Sequence, residues 1–410
     1  MSILIGLINV GEMLIDAREA ARRLGVKPAT LYAYVSRGLL RSTAVAGSRE
    51  RRYHAEDLER LRVAHRNGRS RVVPPRPFDA HSPVLDSTIC LVEGGRLYYR
   101  GVDAAVLAQD ATLEDVARLL WGADSDVVFS PPPRPLGRWL PGLPPPSAPI
   151  ERAYAALVRL AAEDPGAADL SAAATVRTGR RLVGALAAAL TGQSTDGGSP
   201  IHRQIATAWR VKRAGAELIR RCLVLAADHE LNPSTYAARC VASTNATPYA
   251  AATAALAALS GPRHGGATSS AEAMLAELVQ TDDVAAALTE RLRRGETLWA
   301  FGHMLYPDGD PRAAAILSAL SPAAPPRRAA TIARIADEAE RLVGRKPNID
   351  FALSAVSVAL GLPRGAALGL LLVGRSVGWI GHAMEQYAAG ALIRPRARYI
   401  GILPAQAAPA

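Results

Sequence analysis

The sequence predicts an all-α protein in which a large helical body follows a small helix-turn-helix domain. Hydrophobic residues make up 49% of the 410 positions and are mostly Ala, Leu and Val, while only 4 are Phe, a composition that favours closely packed helices. Runs that alternate apolar and polar residues are few. Near the N-terminus, capping and helix-ending residues outline two short helices joined by a tight turn. The length predicts two or three domains.

Charge and cysteine content narrow the classes of function. The formal net charge is +11, and residues 1–75 hold 14 Lys and Arg against 7 Asp and Glu. A basic excess at one end indicates a nucleic-acid contact there, and a solubilising surface is the alternative. The three cysteines are far apart and lack CxxC spacing, so we expect a reducing cytoplasm and neither a disulfide framework nor a metal site. We expect no signal peptide and no membrane span.

The N-terminal segment has the pattern of a helix-turn-helix. Asp16 can cap the first helix, Glu19 stands three residues later, and Gly25 ends the helix. Pro28 suits the first turn of the next helix. The elements predicted after the turn are a helix over 29–37, a polar and basic stretch over 42–52, and a further helix that begins at Tyr53.

Three short motifs lie in this segment: Gly25-Val-Lys-Pro-Ala-Thr-Leu-Tyr32, Gly38-Leu-Leu40 and Arg52-Tyr53. Through them, residues 12–66 resemble the winged helix-turn-helix domains of MerR and excisionase-like proteins, and we assign 1–71 to such a domain. The resemblance implies a helix in the major groove of DNA and a basic wing at the phosphates, and a purely dimerising module is the alternative. The residues implied in DNA contact are Lys27, Thr30, Tyr32, Tyr34, Arg49, Arg51 and Arg52.

The body of the chain follows a stiff Pro-rich linker over 72–78. It opens with a predicted hairpin over 82–101, which has Gly94-Gly95 at its turn. The sequence then predicts helices over 103–109, 112–121 and about 151–192, a helix that leads into residue 229, and loops over 130–149, 193–200 and 321–326.

The most apolar segment, from Ala366 to Ile380, predicts a buried helix that holds Arg375. A buried Arg usually has an anionic partner, which is either a bound ligand or a structural Asp or Glu. A second candidate for ligand binding is the turn-rich loop between His303 and Arg312. The guanidinium suits a carboxylate and the imidazole suits a neighbouring carbonyl, although a surface His is the simpler interpretation of this loop alone.

Six motifs follow one another in the second half of the chain. They are Asp228-His-Glu-Leu-Asn-Pro-Ser-Thr235, Gly261-Pro-Arg-His-Gly-Gly266, Gly302-His303 with Asp310-Pro-Arg312, Pro347-Asn-Ile-Asp350, Gly374-Arg-Ser-Val-Gly-Trp-Ile-Gly-His382 with Glu385-Gln386, and Ile393-Arg-Pro-Arg-Ala-Arg-Tyr-Ile-Gly401. In this order and spacing they resemble citrate synthases over roughly 82–405. The resemblance implies an all-helical fold, with a large domain over 79–263 and 347–410 and a small domain over 264–346.

The resemblance also implies a reaction, its substrates and the residues that serve it. Acetyl-CoA condenses with oxaloacetate and the thioester is hydrolysed to citrate and CoA, with no separate cofactor and with a homodimer as the default. Asp350, among apolar neighbours, would be a base of raised pKa, and a helix-capping Asp is the alternative. A neutral His264 would donate to the thioester carbonyl, beside small residues that allow close substrate approach. The implied catalytic residues are His264, His303 and Asp350, and the implied oxaloacetate ligands are His229, Arg312, Arg375 and Arg394, the last from across a dimer interface.

Two departures from the family widen the range of functions. The loop Met304-Leu-Tyr-Pro-Asp-Gly309 lacks the cation expected at the CoA phosphates, for which Arg263, Arg345 or Lys346 are substitutes. The other departure is the fused winged helix. One alternative function is 2-methylcitrate synthesis from propionyl-CoA, and another is DNA-binding regulation by a synthase-like domain that senses a metabolite. Of the remaining histidines, we expect a structural role for His382 and surface positions for His54, His65 and His202.

Overall fold

The structure, a computed structural model, divides the chain into two compact units, Met1–Leu85 and Asp86–Ala410. Each unit has a hydrophobic core of its own. The residues that the structure describes are 14–24, 26, 30–31, 34–35, 40–44, 50–54, 57–58, 85–132, 136–140, 142, 148–193 and 197–397.

The N-terminal unit confirms the first predicted helix and adds a small sheet. The Glu19 amide donates to the Asp16 carboxylate at 2.8 Å, which caps the helix where the sequence predicts. Tyr53 was predicted to begin a helix, but it lies in a strand because it is fully buried in the small core and pairs with Ile15 and Ser42 on either side. The elements are β1 Leu14–Ile15, α1 Ala17–Leu24, β2 Ser42–Ala44 and β3 Arg51–His54, in an antiparallel sheet of order β1-β3-β2.

The predicted DNA-contact residues fall partly within the described residues of this unit. Thr30 and Tyr34 are helical and half-buried, and Tyr34 packs against the small core. Arg51 and Arg52 are exposed on β3. Outside the described residues lie Lys27, Tyr32 and Arg49, together with His65 and the predicted linker over 72–78.

The second unit opens with the predicted hairpin. Gly94 and Gly95 form its turn, both with positive φ angles. The Tyr99 hydroxyl is buried and donates to the carbonyl of Val224 at 3.1 Å, so the hairpin packs against the end of a central helix. The strands are β4 Cys90–Glu93, β5 Arg96–Tyr99 and β6 Val102–Asp103, in the order β4-β5-β6.

The rest of the second unit is helical, as predicted. Asp103 caps the first helix. Thr112 caps the next one through a capping box, and that helix ends at Gly122, which has a left-handed conformation. The helices are α2 Ala104–Asp110, α3 Leu113–Trp121, α4 Leu136–Trp139, α5 Pro149–Glu163, α6 Ala172–Thr191, α7 Ile201–Ala208, α8 Arg213–Ala226, α9 Pro233–Ala242, α10 Pro248–Leu259, α11 Gly266–Leu278, α12 Val284–Arg293, α13 Pro311–Ser318, α14 Pro326–Val343, α15 Ile349–Leu360 and α16 Ala366–Ala389, with a short 3₁₀ helix over Pro165–Ala168.

Helix α16 lies at the centre of the body, as its apolar sequence predicts. It packs against α3, α6, α8, α9, α10 and α15. Among the described residues it is the one helix long and apolar enough to cross a membrane, and 94% of its most apolar window is buried inside the protein. Residues on α16 are therefore held by neighbours on several sides.

The Pro-rich segment over 130–149 differs from the irregular surface loop that the sequence predicts. Its described part contains the short helix α4, and Trp139 at the end of α4 is fully buried. The Trp139 indole donates to Glu163 at 3.0 Å, which attaches the segment to α5. Burial of one large aromatic side chain thus holds part of this segment against the body.

Candidate active site

The loop from Gly302 to Gly309 fixes the orientation of His303. Gly302 and Gly309 have φ angles of +81° and +122°, which favour glycine. The Gly302 amide donates to the Lys346 carbonyl at 2.8 Å and holds the loop against the segment before α15. The Leu305 amide donates to His303 Nδ1 at 3.1 Å, so a neutral imidazole carries its proton on Nε2. Burial lowers the pKa of His303 to about 4, and the ring is neutral near pH 7.

Tyr306 joins His303 to His229 in a cluster that the motifs alone do not predict. The Tyr306 hydroxyl lies 3.0 Å from His229 Nε2. The rings of His229 and His303 meet edge to face, with their centroids 4.9 Å apart. Burial, followed by the charge of Arg312, lowers the pKa of His229 well below its usual value. The available signal for Tyr306 was an aromatic residue at the centre of a turn-rich loop.

Arg312 is buried and paired with a carboxylate of its own loop. Its Nε and Nη2 donate to the two oxygens of Asp310 at 2.9 and 2.8 Å. Its guanidinium lies 5.5 Å from the centroid of the Tyr306 ring. Burial acts to raise the pKa of Asp310, but Arg312 has the larger combined effect and the pKa is lowered. Asp310 therefore occupies the edge of the guanidinium formed by Nε and Nη2, and the Nη1 side is the part left for a ligand.

Asp310 also organises the loop around Arg312. Its carboxylate caps α13 by accepting from the Arg312 amide and accepts from the Ile349 amide at 3.0 Å. One carboxylate therefore connects the start of α13 to the start of α15. The Asp-Pro-Arg sequence consequently both starts α13 and fixes the Arg312 guanidinium.

Arg375 lies in the middle of α16 and is 3% exposed. Its Nε donates to the Ala226 carbonyl at the end of α8, at 2.8 Å. Burial lowers the pKa of Arg375 and the negative charge of Asp228 opposes this shift. Asp228 acts on Arg375 through its charge, and among the described residues no carboxylate forms an ion pair with Arg375. Among the described residues neither Nη atom has a hydrogen-bond partner, so both are available to an anionic ligand.

Asp350 lies in the first turn of α15. The residue that caps this helix is Asn348, whose side chain accepts from the amides of Asp350 and Phe351, so the helix-capping alternative for Asp350 is wrong. Thr268 Oγ1 donates to Asp350 Oδ1 at 2.5 Å. Burial raises the pKa of Asp350 to about 6, although Thr268 and Arg312 act to lower it. Asp350 is therefore ionised at pH 7 and more basic than an ordinary Asp.

His264 lies in the turn before α11 and contacts Ser234. Its Nε2 is 2.9 Å from Ser234 Oγ, and this oxygen also accepts from the Trp379 indole at 3.2 Å. Burial lowers the pKa of His264 to about 4, so the ring is neutral near pH 7. With Nε2 occupied by Ser234, the nitrogen left for a ligand is Nδ1.

The two glycines after His264 are required by the turn itself. A Cβ atom at Gly265 would lie 2.7 Å from the Leu259 carbonyl oxygen, and one at Gly266 would lie 2.7 Å from the Gly261 carbonyl oxygen. The sequence suggested that these small residues allow close approach of a substrate. The structure also gives them a packing role, because Leu259 and the backbone of Gly261 fill the space that a side chain would need.

The groups described above act on one another electrostatically. The charges of Arg312 and Arg375 shift the pKa values of His229, His303 and Asp350, and Arg375 also acts on His264. The site thus combines a basic carboxylate, neutral imidazoles and two buried cations. This combination suits removal of a weakly acidic proton beside a bound anion.

Other predicted positions lie apart from this cluster. Arg394 is exposed in the segment after α16 and, among the described residues, has no hydrogen bond or ion pair, so its action across a dimer interface stays a prediction. His382 is buried 3.2 Å from Asp228, which agrees with a structural role. His202 was predicted at the surface, but it is 1% exposed because α7, which the sequence did not separate from its neighbours, packs against α8.

Family models match both units of the chain. The model described as "Citrate synthase, C-terminal domain" matches residues 80–396. The chain belongs to the citrate synthase family. The model described as "MerR HTH family regulatory protein" matches residues 16–66. Both resemblances stated from the motifs are confirmed, and so is the all-helical citrate synthase fold.

Curated relatives are named as citrate synthases or as 2-methylcitrate synthases. "Citrate synthase 2" of Bacillus subtilis is 35% identical over 195 residues, and this match spans 45% of the chain and 51% of the relative. "Citrate synthase" of Mycolicibacterium smegmatis is 31% identical over 349 residues, or 78% of the chain and 93% of the relative. "2-methylcitrate synthase" of Mycobacterium tuberculosis is 32% identical over 337 residues, covering 74% of the chain and 84% of the relative.

Solved structures show the same fold. Citrate synthase from Thermotoga maritima superposes with a TM-score of 0.63 at 26% identity, covering 80% of this chain and 96% of that one. Citrate synthase from Thermoplasma acidophilum, solved as a ternary complex with carboxymethyl coenzyme A and oxaloacetate, has a TM-score of 0.67 at 24% identity. That match covers 80% of this chain and 97% of the other.

Proposed function

We propose that this chain condenses acetyl-CoA with oxaloacetate and hydrolyses the product to citrate and CoA. The observation that carries the proposal is Asp350, a carboxylate with a pKa raised to about 6, within reach of the charges of Arg312 and Arg375. Neutral His264 and His303 complete the set. The name of the Mycolicibacterium smegmatis relative, citrate synthase, supports the proposed reaction.

Each group has a distinct role in the proposed reaction. Asp350 removes a proton from the acetyl methyl group. His264 accepts a hydrogen bond from the Ser234 hydroxyl at Nε2 and donates from Nδ1 to the thioester oxygen, where negative charge develops. The methyl carbon then bonds to the ketone carbon of oxaloacetate, and His303 donates from Nε2 to the ketone oxygen. Arg312 and Arg375 bind the carboxylates of oxaloacetate, and His229 adds a hydrogen bond. Water finally cleaves the thioester C–S bond, and the CoA thiol leaves with a proton.

We propose a large domain over 79–263 and 347–410 and a small domain over 264–346. This division assigns the residues of the site to two different domains. His264 and His303 belong to the small domain, while Asp350 and Arg375 belong to the large one. In this proposal, movement of one domain on the other excludes water before condensation.

We further propose that the active form is a homodimer in which Arg394 of one subunit completes the oxaloacetate site of the other. Arg394 is exposed, and Leu392 beside it is 59% exposed, so the segment has apolar and cationic groups available to a partner. The free thiols among the described residues fit the reducing cytoplasm that we propose as the location.

The cations for the CoA phosphates come from outside the His303 loop in this proposal. A Cβ atom at Gly302 would lie 2.7 Å from Arg345 Cδ, and one at Gly309 would lie 2.9 Å from Lys346 Cδ. The stems of Arg345 and Lys346 therefore lie on the loop that lacks its own cation, and both residues are exposed. They are better placed to bind phosphate than any residue of the loop itself.

Release of CoA thiol and formation of citrate by the purified chain test the proposal. With acetyl-CoA and oxaloacetate we expect both products, and an absence of thiol release would contradict it. The alternative is 2-methylcitrate synthesis, which the name of the Mycobacterium tuberculosis relative favours. The ratio of kcat/KM for acetyl-CoA and propionyl-CoA decides between the two donors.

A second candidate function is DNA-binding regulation coupled to the metabolite site. The MerR match over 16–66 and the exposed Arg51 and Arg52 favour it. Binding to DNA fragments, measured with and without oxaloacetate or citrate, would then show sequence preference that changes with ligand. Equal, salt-dependent binding to all fragments would indicate only basic charge.

A further inference from the structure

Helix α11 places a hydroxyl directly on the proposed base. Thr268 is fully buried, and its Oγ1 donates to Asp350 Oδ1 at 2.5 Å. Because an ionised carboxylate only accepts hydrogen bonds, the hydroxyl proton must point at Asp350 in the reactive state. Among the described residues Oδ2 has no hydrogen-bond partner, so this oxygen is left to take a proton.

The contact is held by neighbours that do not depend on Thr268 Oγ1. Ser354 Oγ lies 2.7 Å from the Asp350 carbonyl oxygen and 3.2 Å from the Thr268 carbonyl oxygen. One turn further along α11, Glu272 accepts from the Ser357 hydroxyl and from the Gly365 amide, the latter at 2.7 Å. Helices α11 and α15 are thus joined at several points, and loss of one hydroxyl leaves them packed.

We propose that Thr268 is a positioning residue that holds Oδ1 of Asp350 and presents Oδ2 to the substrate. The inference rests on the proposed role of Asp350 as the base. Three charged groups face this carboxylate: Asp310 and Arg312 at the start of α13, and Arg375 of α16. These groups act on Asp350 through their charge, whereas Thr268 forms a hydrogen bond to one of its oxygens and so makes the two oxygens different for proton transfer.

Thr268→Val tests this role, because Val keeps the shape and removes the hydroxyl. We expect T268V to lower kcat about tenfold and to move the acid limb of kcat/KM to higher pH, since the carboxylate loses a donor that stabilises its anion. T268S keeps the hydroxyl and should restore both values. The matched control is Ser270→Ala, which removes an exposed hydroxyl from the same helix. Unchanged kcat and pH profile in T268V would overturn the proposal.

A second readout does not require activity. Burial raises the pKa of Asp350 above its unfolded value, so its ionised form destabilises the fold above about pH 6, and this effect disappears as the pH falls below about 4. Asp350→Asn should therefore raise the free energy of unfolding at pH 8. In the T268V background we expect a larger gain, because the anion there lacks its donor.

The two readouts separate failure of this proposal from failure of the proposed function. Equal gains from D350N in the wild-type and T268V backgrounds at pH 8 would overturn the role of Thr268, whether or not thiol is released. A larger gain in T268V, together with no thiol release by wild type from acetyl-CoA or propionyl-CoA, would contradict the proposed function and leave the contact established.

Discussion

At the scale of the residue, burial acts in opposite directions on the two kinds of titratable group in the site. It raises the pKa of Asp350 to about 6 and lowers those of His264 and His303 to about 4, because in each case the charged form loses solvation. Between these values and neutrality the base becomes ionised while both donors remain neutral. The same loss of solvation therefore makes the carboxylate a stronger base and keeps the two imidazoles neutral as hydrogen-bond donors.

This separation predicts the pH dependence of the reaction. We expect kcat/KM to fall as the pH drops through about 6, because protonation of Asp350 removes the base. The two histidines protonate only near pH 4 and contribute little above pH 5. Initial rates between pH 5 and 8 check this. An acid limb that lies below pH 5, and that is unchanged in an active Asp350→Glu variant, would contradict it.

The proposed binding of the CoA phosphates by Arg345 and Lys346 predicts a separate effect on the KM for the acyl-CoA substrate. Arg345→Ala and Lys346→Ala should each raise KM for acetyl-CoA about tenfold, the effect of losing a hydrogen bond to a charged group, while KM for oxaloacetate stays unchanged. Arg327→Ala, an exposed Arg on α14, is the control. Steady-state kinetics with each substrate varied will show the effect, and equal KM values in all three variants would remove these residues from the phosphate site.

Single residues were predictable where a motif specifies chemistry, and less so where a contact comes from another helix. The sequence predicted a basic Asp350 from its apolar neighbours. It could not predict the hydroxyls of Ser234 and Thr268, which reach His264 and Asp350 from distant parts of the chain. The surface position predicted for His202 was wrong for the same reason, since burial depends on which helices meet.

At the scale of the element, α16 combines helix-to-helix packing with placement of Arg375. Gly374 and Gly378 flank the Arg by one residue and by three. A Cβ atom at Gly374 would lie 2.7 Å from the Leu223 carbonyl oxygen, and one at Gly378 would lie 2.2 Å from Asp228 Oδ2. The helix therefore approaches the end of α8 closely enough for Arg375 to bond the Ala226 carbonyl.

Gly378→Ala should consequently damage both stability and activity. We expect it to lower the free energy of unfolding by about 1–3 kcal/mol and to lower kcat/KM, because the added methyl group pushes against Asp228. Gly381→Ala on the same helix is the matched control, since its Cβ atom would meet nothing closer than 3.4 Å. Urea unfolding compares the two, and equal stability of both variants would show that the close approach is not required.

Elements with local signals were predicted well. The helices predicted over 103–109 and 112–121 are present as α2 and α3, and Gly94-Gly95 forms the predicted hairpin turn. The short helix α4 was missed, because its place depends on burial of Trp139 against distant residues rather than on a capping pattern. Tyr53 was placed in a helix for a similar reason, since its strand exists only by pairing with β1 and β2.

At the scale of the whole molecule, the chain joins two units that each have a separate hydrophobic core. The fold class of both units was predictable, because six ordered motifs and a helix-turn-helix pattern are local in sequence. The arrangement of subunits and the ligand of the N-terminal unit were not predictable, since neither depends on contacts within one chain.

The separate cores predict that removal of residues 1–71 leaves the reaction intact. Every residue proposed to bind substrate lies beyond position 228, so kcat/KM for thiol release should match that of the full chain. DNA binding, if the N-terminal unit provides it, should be lost in the same variant. Size-exclusion chromatography with light scattering is the accompanying measurement, and loss of the oligomer on deletion would assign the N-terminal unit a dimerising role instead.

The central claim is that Asp350 is the base of a condensation between an acyl-CoA and oxaloacetate. The most direct measurement is release of CoA thiol by the full chain and by Asp350→Asn, with acetyl-CoA and oxaloacetate and with citrate measured in the same samples. We predict thiol and citrate in equal amounts from the wild-type chain, and a rate at least about a hundredfold lower from D350N, the contribution of a positioned general base. Comparable rates from the two proteins, or no product from either, would contradict the account.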